Sequence, residues 1–254
     1  MNDFFMKKFM EKRDKGRNPF QSFFALLHQD IRFELRHGIY TVYGVVCGMY
    51  VLLLLSLPQP LRLVITPLLI FTDPAVLGFF FMGGMILLER KQDVLSSLFV
   101  TPTGPAQYVL SKALSFSLLS LAAAFLIALP FFLFNFHLVP FTLGVFFTSV
   151  LVGLISIPFA VNAESLNEYF LSSGLFMLIF MPPLIEYFLQ SGNKLFLLFP
   201  TQASILLIRG AFSGISPAAQ LAAAGYLLLW ISGAWIWANR SVHRYIHRLR
   251  RVLL

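Results

Sequence analysis

The sequence predicts an all-α polytopic membrane protein with six transmembrane helices. Three observations lead there. Of the 254 residues, 58% are apolar and only 12% are charged, and the apolar residues fall in blocks long enough to cross a hydrocarbon core of ~30 Å. The basic residues are placed unevenly. Lys7, Lys8, Lys12, Arg13, Lys15, Arg17, Arg32 and Arg36 precede the first apolar run; Arg240, Arg244, Arg248, Arg250 and Arg251 follow the last; Arg90, Lys91 and Lys112 flank one central island. Only Arg62, Lys194 and Arg209 are left for the opposite side, so the positive-inside rule puts both termini and the island in the cytoplasm and requires an even number of spans. Finally, proline and glycine punctuate the apolar sequence where helices must start, bend or stop.

The same distribution disposes of other classes. A formal charge of +8 concentrated at membrane borders reads as topology and lipid contact, not as a nucleic-acid footprint. With Cys47 the single cysteine, no disulfide forms within the chain. A cleaved secretory signal is not expected, because residues 1–38 are charged and amphipathic.

Taken in order, residues 1–18 are a polar, basic surface segment. In residues 19–37, Phe20, Phe23, Phe24, Leu27, Ile31 and Leu35 share one helical face, with Gln21, His28, Asp30, Arg32 and Arg36 mostly off it. That pattern predicts an amphipathic helix lying in the inner interface. The first span covers residues 39–57. Residues 61–88 are too long for one plain span and carry Pro67 and Pro74, and Thr72-Asp73-Pro74 has the chemistry of a helix start. A break is expected there, with residues 61–71 as an outer or re-entrant half-helix; the alternative is one tilted helix kinked at its prolines. The third span covers 109–134 and the fourth 141–160. The fifth, 170–189, is bent by Pro182-Pro183, broken outer-surface helices occupy 195–210, and the sixth span, 217–237, runs into a basic tail helix at 239–254.

The island at residues 89–112, ERKQDVLSSLFVTPTGPAQYVLSK, stands apart. Val94, Leu95, Leu98 and Phe99 recur at helical spacing, which predicts a short amphipathic helix over 89–100 that the Thr-Pro-Thr-Gly-Pro run then stops. From the residues alone, two readings stand: a docking helix for a soluble partner, or a loop resting on the headgroups.

Catalytic patterns are missing: no H-E-x-x-H, no G-x-S-x-G, no cysteine pair. His243 and His247 have a metal-compatible spacing, but Arg244, Arg248 and Arg250 surround them, so a basic surface helix is the better reading. No phosphate loop is present, so if ATP drives this chain, another chain hydrolyses it. Ionisable groups at membrane depth are the remaining candidates. Asp73 reads as a helix cap or a pathway residue. Glu186, one turn after the Pro182-Pro183 bend, lines an exit path, snorkels to the surface or pairs with Lys194.

With these elements in place, the chain resembles the ABC-2-type exporter permeases over about residues 19–240. The most specific part is LLERKQDVLSSLFVTPTGPAQYVLSK, residues 87–112, and PLLIFTDPAVLGFFFMG (67–83) with FPTQAS (199–204) is similar to the fluoroquinolone-export permease branch. The resemblance implies a coupling helix between spans two and three that docks on a cytoplasmic ABC-type ATPase, with Glu89, Arg90, Val94, Leu95, Leu98 and Phe99 as its coupling residues. Residues 92–93, Gln-Asp here, depart from the family's usual pattern, so partner specificity does not carry over. It also implies a second permease chain, identical or similar, and no cofactor on this chain, ATP and magnesium being used by the ATPase. On this reading, residues 1–38 are a cytoplasmic tail and interfacial helix, 39–238 the six-helix permease domain in the plasma membrane, and 239–254 a cytoplasmic tail. Asp73, Pro182, Pro183 and Glu186 are candidates for the pathway of an amphipathic or hydrophobic small molecule. An ATP-independent carrier or channel is the alternative, disfavoured because no span carries a row of polar residues.

Overall fold

Inside a bilayer every backbone N–H and C=O must find a partner within the protein, which leaves an apolar chain like this one only helices or a closed barrel. The computed structural model describes residues 19–92, 104–133, 135–189 and 192–253, and every regular element among them is helical. The elements are α1 (Pro19–Arg36), α2 (Ile39–Ser56), α3 (Gln59–Thr72), a π-helical turn (Asp73–Gly78), α4 (Phe79–Lys91), α5 (Pro105–Phe132), α6 (Leu138–Asn162), α7 (Leu166–Ile179), α8 (Pro182–Leu189), a 3-10 turn (Lys194–Leu198), α9 (Pro200–Ser213) and α10 (Pro217–Leu253).

Five helical runs among the described residues are long and apolar enough to span a membrane: α2, the 33-residue run Gln59–Lys91, α5, α6, and Pro217–Arg248 of α10. The pair α7 and α8, bent by 41° where Pro182-Pro183 interrupts the chain, makes a sixth. The chain is an all-α polytopic membrane protein.

Two expectations change. The break at Asp73-Pro74 does not form: α3, the π turn and α4 run on as one helix, the tilted alternative. The proline's missing N–H and the extra residue are absorbed by i→i+5 bonding instead of a chain reversal. α1 is present as expected, but a different face is buried. Ser22, Leu26, Asp30 and Glu34, each four apart, face the protein, while Phe24 and Leu35 of the apolar stripe are exposed. An interfacial helix explains this. Its apolar edge has lipid to enter, so the protein receives its polar edge.

The turn between α1 and α2 rests on Gly38, whose φ of 72° is strained for any residue with a Cβ. At the other end of α2, Arg62 reaches back from α3 to the carbonyls of Leu54 (2.9 Å) and Leu57 (3.0 Å), satisfying groups that a helix end leaves open. α6 is the central helix, packed by α10, α5, α9 and α4. α9 is accordingly more than a surface element: Leu207, Ile208 and Ala211 are fully buried. The acidic turn before α7 serves as a cap, since Ser165 accepts the Glu168 N–H (3.2 Å) and Glu168 accepts the Glu164 N–H (2.7 Å).

Span two meets span five at Gly83. The Tyr169 ring lies where a Cβ would stand, and its hydroxyl donates to the Phe79 carbonyl at 2.7 Å. We expect Gly83→Ala to destabilise the protein by roughly 1–3 kcal/mol through overpacking. Gly84→Ala, with no atom within 4 Å of the added carbon, should be neutral or slightly stabilising. Thermal unfolding of the purified variants in detergent checks both.

Candidate functional site: the base of the bundle

At the start of α5, Tyr108, Ser111 and Lys112 fall on one helical face by their i, i+3 and i+4 spacing. α1 brings Asp30 and Glu34 by the same rule, and the end of α4 brings Glu89. Lys112 is fully buried, and a buried ammonium is tolerated only when paired. Its Nζ donates to Asp30 Oδ1 at 2.6 Å and also to Glu89 Oε1. The other carboxylate oxygens are satisfied too: Ser111 donates to Asp30 Oδ2, and Tyr108 donates to Glu89 Oε2 at 2.9 Å. One lysine therefore fastens α1 to the end of span two and the start of span three.

Arg90, the next residue along, turns to the other side. Its Nη1 donates to the carbonyls of Ala160 (3.1 Å) and Ala163 (2.5 Å) at the end of α6. Its Nε donates to the Tyr245 hydroxyl of α10 at 3.1 Å, and the guanidinium lies over that ring. A cation at a helix C-terminus is favoured by the helix dipole as well as by the free carbonyls. Glu89 and Arg90 thus join α1, α4, α5, α6 and α10 at one level of the molecule, on both flanks of the island.

These placements refine the coupling set. Glu89 and Arg90 are engaged inside the chain. Val94, Leu95, Leu98 and Phe99 lie outside the described residues. Of the pathway candidates, Asp73 is fully buried at the π turn, with the Tyr43 and Ser120 hydroxyls beside the same turn at Gly78. Neither Asp73 oxygen has a hydrogen-bond partner. Pro182 and Pro183 form the bend between α7 and α8. Glu186 is buried and accepts the Gly192 N–H at 2.8 Å, closing the turn after α8. Tyr187 next to it donates to Val64. Asp73 sits nine residues, or ~14 Å of helix, further along, so Asp73 and Glu186 do not share a site.

Above the base, an open cavity of about 540 Å³ lies among α1, α2, the second span and α7. Phe33, His37, Phe80, Phe81, Met85 and Phe170 line it, with Phe80 and Phe170 packed edge to face at 5.4 Å. Such a surface favours flat apolar or aromatic molecules over ions.

The model of the fluoroquinolones export permease protein family matches residues 21–249, from α1 through the tail helix. The chain belongs to that family. Among curated relatives, the fluoroquinolones export permease proteins of Mycobacterium tuberculosis strains CDC 1551/Oshkosh and ATCC 25618/H37Rv are each 28% identical over 164 residues, covering 64% of this chain and 69% of theirs. The permease is thus a multi-pass membrane transport protein, and the whole of this base lies within the matched region.

Asp30, Glu34, Tyr108, Ser111, Lys112 and Tyr245 are the residues of this base that sequence reasoning did not single out as functional. The signal available was the lysine itself: one cation at the head of a 28-residue apolar helix has to find a counter-charge. In the permease we expect Lys112→Met to destabilise by about 3–5 kcal/mol, because it strands two buried carboxylates. Adding Asp30→Asn and Glu89→Gln to Lys112→Met should recover much of the loss. Unfolding midpoints of the single and triple variants measure this.

Proposed function

We propose that this chain is the transmembrane permease subunit of an ATP-binding-cassette exporter. It moves an amphipathic or hydrophobic small molecule out of the cell, with energy supplied by a separate ATPase subunit that binds ATP and magnesium. The observation that carries this reading is the tie between the two flanks of the island. Glu89 and Arg90 on one side, and Tyr108 and Lys112 on the other, are bonded to each other's helices, to α1 and to α6 and α10. A push on residues 93–103 would be passed to four spans and to the interfacial helix together, as a subunit driven from the cytoplasm needs.

The aromatic cavity supports a drug-like substrate, and the names of the Mycobacterium tuberculosis relatives make a fluoroquinolone the first compound to test. Asp73, the Pro182-Pro183 bend and Glu186 are assigned to the pathway or its gating; the π turn and the 41° bend are the two places where a span departs from a straight helix. In spans one and six only 22% and 28% of the apolar window is buried within the chain, which leaves wide faces for lipid and for a second permease chain. On this reading the chain sits in the plasma membrane with both termini cytoplasmic, and the charge asymmetry supports that orientation.

Introducing Glu at Leu95 or Leu98 tests the coupling. Membrane insertion and thermal stability should be retained, while substrate-stimulated ATP hydrolysis of the reconstituted complex and drug efflux should fall at least ~10-fold, the loss of about 1.4 kcal/mol or more of docking energy. Full coupled activity in both variants would sink the docking role and favour the ATP-independent carrier.

A further inference from the structure

The base contains one charge too many. Lys112 is shared between Asp30 and Glu89, and each of those carboxylates has both oxygens engaged. Glu34, one turn beyond Asp30 on α1, is fully buried on the same face with no cation paired to it among the described residues, and only the Ser115 and Tyr40 hydroxyls approach it as loosely aligned donors. Export as proposed above assigns it nothing to do. Its surroundings can be named element by element. On α1 they are Asp30 and His37, the latter exposed with its Nδ1 engaged at the Phe33 carbonyl. On α5 they are Lys112 and Ser115, and Ser115 already donates to the Lys112 carbonyl. On α2, Tyr40 and Tyr43 face it, and Glu89 of α4 acts through the shared lysine. Among the described residues no cation is left over for a third carboxylate.

We propose that Glu34 is a proton-operated fastener, which holds the interfacial helix α1 on the head of span three while protonated and loosens it when ionised. The geometry requires the neutral form for tight seating. An ionised Glu34 would face Asp30 across one helical turn, with the only nearby ammonium already bridging two carboxylates. Burial, the larger cause, pushes the Glu34 carboxyl up from 4.5 to about 7, with Ser115 and Lys112 opposing it and Asp30 adding to it. The ligand of this site is thus the proton, and its working range is close to neutrality.

The sign follows from linkage. A carboxyl whose folded value lies above its unfolded one contributes its full stability below about 4.5 and loses it as pH rises through about 7. α1 is therefore fastened on the acidic side and released on the alkaline side. The consequence is local, because α1 packs on α5 and α2 whereas the core of the spans lies around α6.

The test uses the full-length chain in detergent, without ATPase or substrate, so it can fail or succeed independently of the export reading. Melting midpoints and amide exchange of α1, corrected for the chemical exchange rate at each pH, are followed from about pH 5.5 to about pH 8.5. In the wild type the midpoint should drop by several degrees across neutrality, and α1 protection should fall with it while α6 protection is retained. Glu34→Gln cannot ionise, so its midpoint should fall less steeply than the wild type's over that range and lie above it on the alkaline side, and its α1 protection should not change through neutrality. Glu34→Met, similar in length and also without charge, serves the same purpose if the amide is not tolerated. Parallel pH profiles for wild type and either variant would overturn the proposal, as would a wild-type α1 whose protection does not change through neutrality.

Discussion

A buried ammonium must be paired, and in this permease that requirement organises one end of the helical bundle. Lys112 sits where an apolar helix enters the membrane, too deep for water and with no exposure of its own. Two carboxylates on two other helices answer it, and a serine and a tyrosine complete their hydrogen bonding. Buried ion pairs of this kind add little net stability compared with apolar packing, but they are unforgiving of misplacement. Their value here is specificity: α1, α4 and α5 have one relative arrangement in which no charge is stranded.

Arg90 does the complementary work with different chemistry. A guanidinium's fixed fork of donors suits helix-end carbonyls, and Arg90 engages two of them while stacking on Tyr245. Successive residues at the end of span two thus bind opposite parts of the bundle, the acid toward α1 and α5, the base toward α6 and α10. Any displacement of span two at this level is felt on both sides. The apolar packing above it, being non-directional, imposes no comparable constraint.

The spans, the bent fifth helix and the interfacial helix were legible in the sequence because hydropathy, periodicity and proline are local signals. Lys112 was legible only as a boundary mark, and Asp30 only as a residue off an apolar stripe. Their pairing joins positions 82 residues apart, and no local pattern carries that information. The stripe itself pointed the wrong way for a physical reason: near a bilayer, apolar residues need not face protein, so Phe24 and Leu35 could be left to lipid while Asp30 and Glu34 turned inward. At Asp73-Pro74 the cap signal in the sequence was overruled by the membrane, where breaking a helix exposes several backbone groups and widening one turn exposes few; Asp73 caps no N–H there.

The widened turn at Asp73–Gly78 has a bearing on how such a chain can change over generations. A π turn holds about one residue more than the α turn it replaces. Everything before it and everything after it can then keep the faces they would have in an uninterrupted helix one residue shorter. Met82, Ile86 and Glu89 stay on the inward side although Asp73 has been given a place of its own. A single-codon insertion or deletion inside this hexapeptide would be absorbed there, whereas the same event four residues later would rotate Glu89 away from its lysine and undo the base.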